Sequence, residues 1–516
     1  MSNFTPRPPA FAFGIASHLL YFKTGEHHMS GPWLTILVPV AWTIITVLLH
    51  HEETLLVAIK DSTLLACSFA LGLYGSMITY RIFFHPLRHF PGPKLARVSK
   101  FWHAAKLSDL KNYVLVEELQ HQYGEIVRIG PNEVVVFRPD AIPAIHGPGS
   151  KCTKAPWYDM LQKDSSMHAT RNPVFHATRR RIWDQGFSLK ALKSYQTRVN
   201  DKVTLLAANI ARSAGEPINC TRLFLFFGFD VMGEVAFGEG FGMLESDTVH
   251  PIMEIMRSGI YIIGRFTPIT WLVTILASLP GANADWAKLE RFAQKQVLKR
   301  MEMERDNDDI DMHWLVGDAV TMIVAGSDTV SITLTFLFYN LALFPDCVSK
   351  LRKELTGVDI ADNRALQSLP YLSALINETL RIHPPAPTSP LRLTPPEGLQ
   401  IGPYFIPGGV TISVPAQNLG RLETSYTKAH EFIPERWLPG SDMIKDRSGF
   451  APFLLGKHSC VGKHLAMMEL RLVAARLVTM YDFTFAEGYD QHEVLDMKDC
   501  FTAIPGTLKL AFTPRA

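Results

Sequence analysis

Cysteine is scarce in this chain of 516 residues, and the cysteines that are present are scattered. No two of them are spaced as CxxC. This excludes the disulfide framework of a small secreted domain and a zinc ribbon, and it fits a reducing compartment. A role for any one cysteine must therefore be argued from its own surroundings. The six are Cys67, Cys152, Cys220, Cys347, Cys460 and Cys500.

The chain also has no marked excess of charge of either sign. It contains 51 Lys and Arg against 49 Asp and Glu. A balanced charge produces no general attraction for polyanions, so we expect no nucleic-acid partner.

Two stretches near the N terminus contain no Lys, Arg, Asp or Glu. They are "GPWLTILVPVAWTIITVLLHH" (31–51) and "STLLACSFALGLYGSMITY" (62–80). Each has close to the roughly 20 apolar residues that cross a bilayer, so both are predicted to be transmembrane helices. A weaker segment at 8–22 either spans the membrane, lies at its interface or packs on the other two. A cleavable signal peptide is a poor fit, because no basic stretch precedes a single short apolar run that ends in a small-residue cleavage site.

Basic residues follow the second span, whereas Lys60 is the only one between the two strong spans. The positive-inside rule therefore predicts that the C-terminal part faces the cytoplasm. Next comes "HPLRHFPGPKL" (85–95), whose three prolines predict a stiff, extended hinge. We expect a membrane anchor at 1–84, this hinge at 85–95 and one catalytic domain at 96–516. The basic residues are Arg81, Arg88, Lys94, Arg97 and Lys100.

From residue 96 onward the chain shows no second linker and no repeat. Apolar residues recur at helical spacing over 189–212, 285–305, 314–345, 365–383 and 462–480, with short strand-like pieces between them. The fold class expected is mainly α with small β-sheets, in one domain larger than most.

The stretch "FLLGKHSCVG" (453–462) places Cys460 just before a predicted helix. Free backbone N–H groups and the helix dipole favour a thiolate there. Gly456 and Gly462 permit a tight loop and the close approach of a flat ligand. These features suit a cysteine that binds iron. A buried structural cysteine beside a helix is the alternative.

Three further stretches precede this loop in a fixed order: "VAGSDTV" (324–330), "NETLRIHPP" (377–385) and "FIPERW" (432–437). Together the four resemble the motifs of the cytochrome P450 family of haem-thiolate monooxygenases. The resemblance runs from the proline hinge to the C terminus. Each motif alone is weaker evidence for the family. Glu378 and Arg381, for example, could be a solvated pair on one helix face. His458 stands where the family more often has arginine.

The resemblance implies a cofactor, haem b, and roles for particular residues. Cys460 would be the axial iron ligand, within a loop that includes Phe453, Gly456, His458 and Gly462. Ala325 and Gly326 would leave space for dioxygen, and Asp328 and Thr329 would relay protons. His176, Arg180, Arg392 and His458 would bind the haem propionates, with Arg179 or Arg181 as alternatives to Arg180. Glu378, Arg381 and Arg436 would form a buried network that fixes the cysteine loop.

The same resemblance implies partners and a location. Electrons would come from NADPH through NADPH–cytochrome P450 reductase, with cytochrome b5 as a second candidate donor, at the endoplasmic reticulum membrane. The segments expected to line the substrate cavity are aromatic and aliphatic, which predicts a hydrophobic small molecule. The multi-span anchor and "FPGPKLA" resemble filamentous-fungal members that act in secondary metabolism.

Two alternatives remain at this stage. The first is a haem-thiolate isomerase or dehydratase that needs no dioxygen, against which the intact Asp328–Thr329 pair argues. The second is a non-enzymatic membrane protein that has lost haem, against which the complete cysteine loop argues. The chain also departs from the family at about 300–315, where a helical segment before the long oxygen-binding helix is shortened.

Overall fold

The computed structural model describes residues 7–161, 165–304, 312–388 and 390–515. Residues 305–311, the middle of the shortened stretch at about 300–315, lie outside the described residues. The helices are α1 (Pro8–Ser17), α2 (Gly31–His50), α3 (Leu55–Thr79), α4 (Lys94–Val98), α5 (Phe101–Lys106), α6 (Asn112–Tyr123), α7 (Ala141–His146), α8 (Pro173–Gly186), α9 (Leu189–Arg212), α10 (Cys220–Phe237), α11 (Met243–Ser246), α12 (Pro251–Phe266), α13 (Thr270–Ala277), α14 (Ala284–Glu304), α15 (Met312–Leu343), α16 (Pro345–Leu355), α17 (Asn363–Gln367), α18 (Pro370–Ile382), α19 (Ala416–Gly420) and α20 (Lys463–Met480).

The strands are short by comparison. They are β1 (Ile126–Gly130), β2 (Glu133–Val136), β3 (Thr153–Lys154), β4 (Ile218–Asn219), β5 (Arg392–Leu393), β6 (Leu399–Ile401), β7 (Tyr404–Ile406), β8 (Thr411–Ser413), β9 (Tyr481–Phe485), β10 (Lys498–Cys500), β11 (Thr502–Ile504) and β12 (Lys509–Pro514). The prediction of a mainly helical fold with small sheets is confirmed.

The chain divides into two compact units. The first contains the described residues up to Lys106 together with Ile126–Val134 and Phe266–Ala284; the second contains the remainder. Helices α1, α2 and α3 belong to the first unit. Long apolar helices of this kind expose their side chains to lipid, and Leu56 on α3 is 81% exposed.

Among the residues that the structure describes, three helices are long and apolar enough to cross a membrane: His28–His50, Leu55–Phe84 and Met312–Leu343. Their most apolar windows are 6%, 22% and 61% buried, respectively. The third is α15 and is therefore a core helix of the second unit. The first two overlap the predicted spans at 31–51 and 62–80 and are compatible with membrane anchoring.

The weak segment at 8–22 packs along α3. An added Cβ at Gly14 would lie 2.7 Å from the Leu73 backbone nitrogen, so the two helices meet at close range. His18 Nδ1 lies 2.8 Å from Ser76 Oγ in the same contact. Small residues allow such close approach between apolar helices. The segment therefore packs on α3, and whether it also spans the membrane stays a prediction.

The hinge is only partly extended. Pro86–His89 form a 3₁₀ turn, because Pro86 fits the first position of a helix and the His85 side chain accepts a hydrogen bond from Leu87 N at 3.1 Å. The prediction of a fully extended hinge is wrong for these four residues. The extended part, which includes Pro91, joins strand β1 through a hydrogen bond from Arg128 N to Pro91 O at 2.7 Å.

In the second unit, α15 is the central element and packs against α10. An added Cβ at Gly228 on α10 would lie 2.7 Å from Ser327 O on α15, and an added Cβ at Gly326 would collide with Met232. Two glycines therefore bring the backbones of these helices together. This contact fixes the position of the segment 325–329 in the core.

Candidate functional site

The cysteine loop is closed by its own backbone. Cys460 N donates to Phe453 O at 2.8 Å, and Ser459 N donates to Gly456 O at 3.0 Å. Gly456 has φ of +62°, and an added Cβ there would lie 2.6 Å from His146 O. This position therefore requires glycine. Gly462 has φ of −79°, and an added Cβ would make only ordinary contacts.

Cys460 faces a cavity of about 290 Å³ that Arg180, Phe453 and Lys463 also line. Removal from water raises the pKa of the thiol, while the N–H groups of Gly462 and Lys463 and the charge of Arg180 act in the opposite direction. Helix α20 begins at Lys463, so the sulfur lies at its N-terminal end. An anionic sulfur is stabilised there by backbone dipoles.

Arg180 does not join the other residues predicted to bind propionates. Its Nη1 donates to Ser459 O at 2.5 Å and its Nε to Asp184 Oδ1 at 2.7 Å. The guanidinium thus holds the peptide that precedes Cys460. Arg179 pairs with the buried Asp318, which also accepts a hydrogen bond from Trp183 Nε1 at 2.9 Å.

The remaining residues predicted to bind propionates converge. His458 Nδ1 lies 3.2 Å from His176 Nε2. Burial and the positive charge of Arg392 lower the pKa of both rings, that of His176 to about 4. Arg392 is 2% exposed. Its Nε has no hydrogen-bond partner within the described ranges, although Nη1 donates to Tyr158 Oη at 3.1 Å.

Lys154 belongs to this cluster, and sequence reasoning missed it. Strands β3 and β5 pair antiparallel so that Lys154 lies directly opposite Arg392. Like charges in directly opposed positions are unfavourable. Burial and the charge of Arg392 lower the pKa of Lys154 to about 7. No sequence motif marks this lysine, because the two-residue strands that create the pair are too short to predict.

These side chains, which can donate hydrogen bonds, fit a bound group that carries carboxylates. A buried guanidinium with an unused donor, beside a lysine and two histidines, is expected to pair with an anion. Haem b has two propionates and an iron that accepts a thiolate, so the chemistry of the residues present agrees with the expected cofactor. His176, Arg392 and His458 would hold the propionates, and Cys460 would hold the iron. Lys154 Nζ already donates to three backbone carbonyls, those of Met167, His168 and Thr170.

The segment 325–329 lies in the middle of α15. Ala325 is exposed although Ile323, Ser327 and Val330 near it are buried. A residue at the centre of a core helix can be exposed only if it faces an internal space. Gly326, by contrast, contacts α10, so its missing side chain serves helix packing.

Thr329 Oγ1 donates to Ala325 O at 2.8 Å within the helix. Asp328 lines a second cavity of about 300 Å³ together with Arg257, Ser331 and Thr335. Burial raises the pKa of Asp328 to about 7, and the charge of Arg257 opposes this shift. A carboxyl group with this pKa can release and rebind a proton near neutral pH.

The structure brings Glu378, Arg381 and Arg436 together in a dry site. Glu378 Oε1 accepts hydrogen bonds from Arg381 Nη2 at 2.7 Å and Arg436 Nε at 2.8 Å, and all three side chains are 0% exposed. Trp437 Nε1 donates to Glu378 Oε2 at 2.8 Å. Sequence reasoning did not assign Trp437 a role, although it ends the motif "FIPERW".

The second arginine ties this network to the segment before the cysteine loop. Arg436 Nη1 donates to Thr427 O at 2.8 Å, and Arg381 Nη1 donates to Ala429 O at 2.6 Å. Each charge is thus both paired and hydrogen-bonded, as a buried charge must be. The network immobilises a loop that carries no regular secondary structure of its own.

Comparisons with known proteins agree with this site. A family model described as Cytochrome P450 matches residues 91–299 and 282–512. Cytochrome P450 monooxygenase sthD of Phaeosphaeria nodorum is 42% identical over 475 residues, which cover 87% of this chain and 99% of that protein. Tryprostatin B 6-hydroxylase of Aspergillus fumigatus is 37% identical over 517 residues, which cover 94% of this chain and 92% of that protein.

A third relative, Cytochrome P450 monooxygenase FCK2 of Fusarium pseudograminearum, is 36% identical over 536 residues, which cover 98% of this chain and 97% of that protein. The family model and these full-length similarities extend over the cysteine loop, the buried glutamate network and α15. The chain therefore belongs to the cytochrome P450 family and is a monooxygenase of that family.

Proposed function

We propose that this chain is a membrane-bound enzyme that inserts one atom of O2 into a hydrophobic secondary metabolite by hydroxylation or epoxidation. The second oxygen atom leaves as water. NADPH supplies the two electrons, and NADPH–cytochrome P450 reductase delivers them, with cytochrome b5 as a second candidate donor. The observation that carries this proposal is Cys460, held by its loop at the wall of a cavity beside the start of α20.

When bound, haem supplies the activation of dioxygen and the transfer of oxygen. The residues of this chain bind, orient and move protons. Cys460 would hold the iron, and the Arg180 bond to Ser459 O fixes the adjoining peptide. Ala325 leaves room beside α15. Asp328 holds a proton near neutral pH and would pass it, with Thr329, toward the reacting oxygen.

A hydrophobic substrate is supported by the walls of the second cavity. Its apolar lining includes Phe226, Ile260, Ile504 and Pro505. Polar side chains, including those of Arg222, Arg257 and Asp328, line the same space. One relative is named as a hydroxylase of tryprostatin B. We infer an analogous hydroxylation here, on an apolar metabolite.

Location and domain organisation are also proposals. We propose anchorage in the endoplasmic reticulum membrane, with residues 1–84 as the anchor, 85–95 as the connection and 96–516 as a catalytic domain that faces the cytoplasm. The apolar helices α2 and α3 support the anchorage. The basic residues after α3 support the orientation.

The first test is the ferrous–carbon monoxide difference spectrum of membranes that contain the full chain. We expect a strongly red-shifted Soret band in the parent and its loss in Cys460→Ser. Cys67→Ser is the matched control, because Cys67 is an exposed cysteine on α3. A parent without this band, or a Cys460→Ser variant that keeps it, would refute the proposal.

A second test separates oxygen insertion from isomerisation or dehydration. In a monooxygenase, Thr329→Ala should divert electrons from NADPH to peroxide. In an isomerase or dehydratase, the same change should leave the peroxide yield unchanged. Thr333→Ala is the control, because Thr333 Oγ1 makes the same type of bond, to Thr329 O at 2.8 Å, one turn later. Equal peroxide yields from both variants would argue against a proton relay at Thr329.

A further inference from the structure

A groove of about 850 Å³ lies between α1 and α3, wholly within the first compact unit. On the α1 side it is lined by Phe11, Ile15, Leu19 and Lys23. From Phe11 to Lys23 a helical chain rises by roughly 18 Å, at about 1.5 Å per residue. Half of the hydrocarbon core of a bilayer is about 15 Å thick. The groove is therefore long enough to hold an acyl chain of one leaflet.

The groove has a positive charge at one end. Lys23 Nζ lies 4.9 Å from the centroid of the Tyr80 ring, and both residues line the groove. No carboxylate of the described residues forms an ion pair with Lys23. A cation at the end of an apolar groove complements a molecule that joins an anionic head to a hydrocarbon tail.

Both helices change their geometry near this charged end. His18–Phe22 and Tyr80–Phe84 are π-helical turns that follow α1 and α3 directly. Leu19 of the first turn and Tyr80 and Phe84 of the second line the groove. Such turns are rare and occur frequently at functional sites. Two of them beside one groove support a binding role for it.

Two glycines of α3 determine where the groove is closed and where it is open. An added Cβ at Gly72 would collide with Phe11 O, so the two helices touch there. Gly75 also lines the groove, but an added Cβ there would meet nothing within 4 Å. The space beside Gly75 is therefore not filled by protein atoms and can accept a ligand.

We propose that this groove binds one anionic glycerophospholipid, with an acyl chain between α1 and α3 and the phosphate paired with Lys23. Arg81 and Arg88, which follow α3, add positive charge at the same membrane face. A phospholipid is favoured over a sterol, because a sterol hydroxyl carries no charge that Lys23 could neutralise. This inference rests on the proposed membrane anchorage and not on the proposed reaction.

The experiment is photolabelling of the full-length haem-loaded protein in phosphatidylcholine vesicles that contain a phosphatidylserine with a photoreactive acyl chain. Mass spectrometry then identifies the labelled peptides. We expect the label on the peptides of α1 and α3 that line the groove, and we expect unlabelled phosphatidylserine to displace it.

Gly75→Leu should abolish this labelling, because the leucine side chain fills the open part of the groove. Ala66→Leu is the matched control, since Ala66 is an exposed residue of α3 outside the groove. If Gly75→Leu does not accumulate, Thr79→Leu decides by the same criteria, because Thr79 is exposed and lines the groove.

Lys23→Gln tests the phosphate contact. Loss of this charge should raise the amount of phosphatidylserine needed for half-displacement about fivefold. Lys60→Gln is the control, because Lys60 is an exposed residue of α3 that does not line the groove.

Labelling that persists when the groove is filled would show a general lipid coat and would overturn the site. Displacement by ergosterol but not by phosphatidylserine, or equal displacement curves for Lys23→Gln and Lys60→Gln, would overturn the choice of ligand. Release of the parent from the vesicles by alkaline carbonate would overturn the anchorage and the site with it. None of these measurements requires turnover, so their failure is distinct from a failure of the proposed reaction.

Discussion

At the scale of single residues, Glu378 has the most demanding environment. Its carboxylate is the shared counter-ion of two buried guanidinium groups, so Glu378→Gln should leave both without a paired charge and cost about 3–5 kcal/mol of stability. We expect a lower thermal midpoint and loss of the carbon monoxide band on purification.

The control for this change is Glu431→Gln. Glu431 pairs with Lys428 at 3.4 Å, and the two side chains are 58% and 60% exposed. An exposed pair of this kind contributes about 0–1 kcal/mol. A Glu378→Gln variant as stable as this control would contradict the structural role of the network.

The partly buried Asp328 should make stability depend on pH. Its pKa is raised to about 7, whereas an unfolded Asp titrates near 3.9. Between these two pKa values the folded state keeps the Asp328 proton and the unfolded state does not. The contribution of Asp328 to the free energy of unfolding therefore falls as pH rises, by at most about 1.4 kcal/mol per pH unit.

Asp328→Asn removes that dependence. Relative to the parent, the thermal midpoint of the variant should rise from about pH 4 to pH 7 and stay constant above. Burial also raises the pKa of Asp499 to about 7. Asp499→Asn should therefore change the thermal midpoint in the same direction as Asp328→Asn. A variant whose midpoint parallels that of the parent at every pH would show that Asp328 does not titrate in this range.

The cysteine loop can be found in the sequence because its residues are contiguous. The pair Glu378 and Arg381 can be found because the two residues lie one helical turn apart. Lys154 and the partner of Arg180 cannot, because a cross-strand pair and a bond to Ser459 O join distant parts of the chain. Gly326 shows a different limit. Its motif identifies the segment, but only the structure shows that the glycine faces Met232.

At the scale of elements, the contact between α10 and α15 depends on glycine. Gly228→Ala would place a methyl group 2.7 Å from Ser327 O and should cost about 1–3 kcal/mol. Gly259→Ala on α12 meets nothing within 4 Å and should stabilise the protein by about 0.5–1 kcal/mol. Thermal unfolding of the two variants would test this, and a stabilising Gly228→Ala would contradict the close packing.

Long amphipathic helices are predicted almost to the residue. Helix α9 occupies the predicted 189–212, and α20 begins one residue later than predicted. The predicted helix at 365–383 is instead α17 and α18, because Pro370 starts a new helix after the extended Leu369. Strands of two residues, such as β3 and β5, were not predicted, since they show no periodicity and exist only through their partners.

At the scale of the whole molecule, the anchor makes a prediction about topology. Arg7 pairs with Asp61 at one end of α1, and Lys23 lies 4.9 Å from the Tyr80 ring centroid at the other. Helices α1 and α3 are therefore parallel. Thr46 Oγ1 donates to Ser62 Oγ at 2.7 Å near the loop between α2 and α3, which makes that pair antiparallel.

This arrangement puts Lys23 at the same membrane face as Arg81, and residues 51–54 at the opposite face. With the basic residues after α3 in the cytoplasm, an epitope inserted between Glu52 and Glu53 should resist protease added to intact microsomes, whereas the catalytic domain should be digested. Detergent should abolish the protection, and an epitope inserted after Gly25 should be cleaved without detergent. Cleavage at 52–53 in sealed vesicles would show that the predicted orientation is wrong. The catalytic domain would then not face a cytoplasmic reductase.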